Sequence, residues 1–130
     1  MIDAKKLYDC MASSSTLSPE KMLAEKYESI IRGNISSSHI QDYYDFYRLV
    51  QQHKNEICYD TLREEIKYYA EKHGSSAILT EWREILRNIR EEPQLYTLWR
   101  NFTAEDSSNA NVQFYEILDA VDGIAQELNF

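Results

Sequence analysis

Residues that interrupt regular backbone are scarce in this 130-residue chain, which has only 3 glycines and 2 prolines. Glycine loosens a backbone and proline blocks its hydrogen bonding, so a chain poor in both turns sharply in few places. It is driven to long regular elements with short joins. Between Pro19, Gly33, Gly74 and Pro93 the apolar residues recur three and four apart, the period of a helix with one buried stripe. No stretch alternates in the manner of a half-buried strand. With 43% hydrophobic and 12% aromatic residues, the chain has more apolar surface to bury than a disordered one. The predicted fold is all-α: a compact antiparallel bundle or stacked helical hairpins of about six or seven short helices, with residues 1–130 as a single domain.

Capping chemistry marks the helix ends. Ser18-Pro19-Glu20 sets a hydroxyl acceptor at the N-cap, proline at the first helical position and a carboxylate in the first turn, with Leu17 and Met22 spaced as a hydrophobic staple. A helix from about Pro19 to Arg32 follows, burying Leu23, Tyr27, Ile30 and Ile31 and ending at Gly33. Ser38 with Gln41 resembles a capping box, opening a helix that runs to about His53 with Ile40, Tyr43, Tyr47 and Val50 inward. The next presents Cys58, Leu62, Ile66, Tyr69 and His73 on one face and closes at Gly74. After Ser75-Ser76, residues Ile78, Trp82, Ile85, Leu86 and Ile89 line a helix that stops before Pro93; a short helix with Leu95, Leu98, Trp99 and Phe102 comes next. An N-terminal helix with Ala4, Leu7, Tyr8 and Met11 completes the set. No repeat of about 34 residues aligns consistently, so a tetratricopeptide-type solenoid is open only in a degenerate form.

The final segment is an acidic amphipathic helix at about 109–129. Ala110, Phe114, Ile117, Val121, Ile124 and Leu128 make its apolar stripe, and Glu116, Asp119 and Asp122 occupy the other side. The heptad spacing also suits a homodimer seam, but the flanking charges are not complementary, which favours packing within the chain. All 14 Lys and Arg fall in residues 1–100 beside 16 Asp and Glu, so most of the net charge of -8 comes from the last thirty residues. That sign disfavours direct nucleic-acid binding, which rests on a positive footprint.

Other classes are limited by what is missing. No run approaches the ~18 apolar residues of a membrane span. Asp3, Lys5, Lys6 and Asp9 stand where a signal peptide would be apolar, so a cytoplasmic protein is expected. Cys10 and Cys58 have no metal or redox motif around them and read as core thiols, with a disulfide as the lesser alternative. His39, His53 and His73 are scattered; there is no glycine-rich phosphate loop, H-E-x-x-H or G-x-S-x-G, and no cofactor or metal is implied. A helix-turn-helix around Gly74 fails because Ser75, Thr80 and Arg83 fall where that motif is apolar.

The leading expectation is therefore a non-enzymatic protein–protein interaction module, such as a small regulator, inhibitor or immunity protein, chaperone or assembly subunit. Its acidic helix would meet a basic or mixed surface on another protein; the alternative is an acidic nucleic-acid mimic or a subunit of a nucleic-acid-processing complex. The candidate contact residues are Glu116, Asp119, Asp122 and Tyr115 on the last helix, Tyr44 and Phe46 on a helix that is either central or sticky, and the strip Arg83, Arg87, Arg90. Guanidinium forks suit carboxylates and phosphates, so the strip could engage an acidic segment of this chain or of another molecule. The simpler reading is a solvated face with Arg87 paired to Glu84 and Glu91.

Overall fold

A serine hydroxyl opens the first described helix: Ser18 Oγ accepts a hydrogen bond from the Lys21 N–H at 3.3 Å, with Pro19 in the first turn. The computed structural model describes residues 18–36, 40–105 and 112–130. Among the described residues are six α-helices, one 3-10 segment and no strand. They are α1 (Pro19–Gly33), α2 (Ile40–Gln52), α3 (Tyr59–His73), the 3-10 segment (Ser76–Glu81), α4 (Trp82–Arg90), α5 (Pro93–Glu105) and α6 (Phe114–Leu128). The all-α expectation holds. The expected N-terminal helix with Ala4, Leu7, Tyr8 and Met11, the Ser38 cap and Ala110 lie outside the described residues.

Helix ends follow local chemistry, with three departures from expectation. Asn34, rather than Gly33, takes the positive φ of 51° after α1, its N–H reaching the Ile30 carbonyl at 3.1 Å. The run predicted to be one helix from Ile78 begins as a 3-10 segment and becomes α-helical only at Trp82. Helix α6 starts at Phe114, because Gln113 and Glu116 form a reciprocal capping box there. Gly74 behaves as predicted, closing α3 in the left-handed region at φ 73°. Among the described residues nothing lies within 4 Å of where its Cβ would be, so a side chain there meets backbone strain. Gly74→Ala is expected to cost about 1 kcal/mol in urea unfolding; an unchanged midpoint would contradict that account.

Helix α1 is the hub, packing most extensively on α3 and then on α2. Leu23, Ala24, Tyr27 and Ile30 have no exposed surface, and Tyr43, Phe46, Leu62 and Ile66 close around them. Helix α6 lies against α2, α3 and α4 and buries Phe114, Ile117, Val121, Ile124 and Leu128, the predicted stripe. That stripe is used inside its own chain. Phe114 meets Tyr43 and Tyr96 edge-on, each at 5.1 Å between ring centroids. At the other end Arg63 donates to the Leu128 carbonyl, and its guanidinium lies 4.3 Å from the centre of the Phe130 ring.

Polar side chains tie these helices where apolar contact ends. Glu28, 1% exposed, accepts from Arg32 Nε at 2.8 Å, Ser75 Oγ at 2.7 Å and His73 Nδ1 at 2.8 Å, joining α1 to the end of α3. Lys26 pairs with Asp42 at 3.4 Å and Asp45 at 3.6 Å across α1 and α2. Cys58 is buried and disulfide-bonded, so it is not the reduced core thiol expected, while Cys10 lies outside the described residues.

Candidate functional site

Helix α4 is short, and its inner face of Trp82, Ile85, Leu86 and Ile89 is fully occupied in packing, which includes α6. Residues at the complementary positions must line its outer edge. Arg83, Arg87 and Arg90 recur four and three apart and therefore form one row. Together with Trp82, Leu86 and, from α6, Asp122 and Gln126, they enclose an open groove of about 590 Å³. The arginine strip and Asp122 of the acidic helix face, from two separate candidates in the sequence, thus line one feature.

The charges in it are unevenly satisfied. Arg90 Nη2 donates to Asp119 Oδ1 at 2.7 Å, and Asp122 accepts from Gln126 Nε2 at 3.1 Å. The expected pairs of Arg87 with Glu84 and Glu91 do not form among the described residues; Arg87 and Arg83 have no carboxylate partner there. The Arg83 guanidinium instead lies 4.3 Å from the centre of the Trp82 ring. Trp82 is 2% exposed, and its buried indole N–H has no acceptor among the described residues. Sequence periodicity assigned Trp82 to the core only. Nothing in spacing distinguishes a core tryptophan from one that also walls a groove.

The remaining candidates are dispersed. Glu116 Oε2 accepts from the Gln113 N–H at 2.7 Å and so serves the start of α6. Tyr115 is 53% exposed and Asp119 lies in the Arg90 pair. Tyr44 is half-buried against Trp99 and Phe102, at 6.2 Å and 6.1 Å between centroids. Phe46 has no exposed surface and packs 6.3 Å from Tyr27, which places it in the core rather than at a contact face. His53 pairs with Glu56 at 3.0 Å and His73 with Glu28, while His39 lies outside the described residues.

The class to which this helical chain is matched is the nucleotidyl transferase toxins. The family model described as nucleotidyl transferase AbiEii toxin, type IV TA system, matches residues 2–122, and the chain belongs to the AbiEii family. No curated protein and no solved structure matches it. Family membership overturns the expectation of a non-enzymatic interaction module, together with the alternative of a nucleic-acid mimic or accessory subunit, because the family is one of transferases. Motif reading missed this for a physical reason. It detects chemistry written at short spacing, whereas groups assembled by helix packing leave no local signature.

Nucleotidyl transfer is commonly assisted by divalent cations held by carboxylates. Among the described residues no group of three or more His, Cys, Asp or Glu could hold a metal ion, and Asp119 and Asp122 are engaged by Arg90 and Gln126. These residues do not fit such a centre. Nor is any described helix long and apolar enough to cross a membrane.

Proposed function

We propose that the chain acts as a nucleotidyl transferase toxin, moving a nucleotide from a nucleoside triphosphate to an acceptor, in a pair with a cognate antitoxin and in the cytoplasm. The match of the family model over residues 2–122 carries this reading. In such a transfer a nucleophile on the acceptor attacks the α-phosphorus, the bond to the β-phosphate oxygen breaks, and pyrophosphate leaves with the electron pair. The nucleophile's proton passes to a base. Every phosphate-bearing species involved is an anion, and fixed cations lower the cost of bringing them together. The guanidinia of Arg83 and Arg87, which have no carboxylate partner among the described residues, support the reading on that ground.

The test is direct. The purified chain is incubated with each of four nucleoside triphosphates labelled at the α-phosphate, with a divalent cation and host nucleic acid or protein as acceptor. Label is expected to appear on an acceptor, and induced expression is expected to arrest growth unless the antitoxin is also expressed. No label from any of the four, together with normal growth on induction, would overturn the proposal.

A further inference from the structure

We infer that the groove between α4 and α6 is a binding site for a polyphosphate chain, with Asp119 as an internal competitor for one of its three arginines. The inference rests on the transferase reading for its biological sense, but its evidence is geometric. Arg83, Arg87 and Arg90 run for about 10 Å along one helix edge, by the 1.5 Å rise per residue. The groove they line, about 590 Å³, falls within the size range of small-molecule sites. Guanidinium forks match phosphoryl oxygens in a way that a point charge does not.

The state of the arginines points to an anion. Arg83 and Arg87 have no carboxylate partner among the described residues although the chain carries a net charge of -8, so carboxylates are plentiful. The Arg83 guanidinium rests 4.3 Å from the centre of the Trp82 ring, and both residues line the groove, so this cation is positioned there by an aromatic face rather than by a carboxylate. Arg90 differs: Asp119 already occupies it at 2.7 Å, with the Asp119 side chain 63% exposed and free to swing away. A ligand phosphate entering beside Arg87 competes with that carboxylate for the third guanidinium. One of the three cations is therefore engaged by a residue of its own fold, and that cation's share of the affinity is set by the difference between the two anions.

The experiment titrates the full chain with inorganic triphosphate and, separately, with nucleoside triphosphates, by calorimetry in EDTA at about 50 mM salt, where screening is modest. Both ligands are expected to bind, and the Arg83→Gln/Arg87→Gln variant to bind about tenfold more weakly or worse, as loss of charge-assisted bonds requires. Arg100→Gln, on the exposed side of α5, is the control and should bind as the parent does. Asp119→Asn frees Arg90 and should tighten binding by about threefold or more. Equal affinity for the two ligands assigns recognition to the phosphate chain alone, and preference for the nucleotide adds a sugar or base contact; either supports the site. The inference is overturned if neither ligand binds, if the double variant binds like the parent, or if Asp119→Asn weakens binding. Transfer of labelled nucleotide with unchanged binding by the double variant would sink the groove but leave the transferase reading intact. Arginine-dependent binding with no transfer would do the reverse.

Discussion

Phe46→Ala is expected to lower stability by about 3–5 kcal/mol, the range for deleting a buried aromatic ring whose space cannot be refilled. Phe46 has no exposed surface, and it sits on α2 beside Tyr27 of the hub helix, with a ring separation of 6.3 Å. Close-packed neighbours on several sides can collapse only partly into the vacancy, so a cavity remains. For a chain of this size the loss corresponds to roughly a 10–20 °C fall in the thermal midpoint. Calorimetry or circular dichroism would measure it. A fall of only a few degrees would mean that the ring is not held in the core and that the position is open to solvent or a partner. Tyr44→Ala, at a half-buried site against Trp99 and Phe102, should cost clearly less.

Glu28→Gln is expected to cost about 2–3 kcal/mol near neutral pH, as removing one partner from a buried charged network does. Burial pushes the Glu28 carboxyl up, but bonds from Arg32, Ser75 and His73 outweigh it and hold the group below its ordinary value of 4.5. A carboxylate with a depressed folded pKa stabilises the fold fully above its unfolded pKa, and that contribution is lost as pH falls through the folded value. The gap between parent and variant should therefore be widest above the ordinary value of 4.5 and shrink below it. Urea midpoints at about pH 7 and about pH 3.5 give the comparison. A gap of equal size at both would show that ionised Glu28 is not what ties α1 to the end of α3.

Most of the fold was legible because burial leaves a period in the sequence. Phe114, Ile117, Val121, Ile124 and Leu128 could be assigned to one face of α6 from spacing alone, and all five are buried. The Ser18 cap and the left-handed Gly74 were legible because each is a local preference of one residue type. What escaped was decided between neighbours. On α2 the pattern favoured Tyr43 and Tyr47 inward and offered Phe46 as a contact residue, yet Phe46 is fully buried and Tyr47 only half-buried. Helix α2 packs against α1, α5 and α6, so its buried arc is wider than a single stripe. The switch from 3-10 to α geometry at Trp82 likewise depends on packing, since both geometries accept the same apolar residues.

The candidate site divides along the same line. Composition and order along the chain by themselves determined that helices would form, which faces they would hide, and that arginines would line one strip and carboxylates another. Only the tertiary structure brought α4 beside α6, paired Arg90 with Asp119, left Arg83 and Arg87 without a carboxylate partner among the described residues and enclosed Trp82 in the same wall. Periodicity records the angle at which a residue leaves its own helix. It holds no information about the helix that angle will meet, and electrostatic chemistry between helices depends on that meeting.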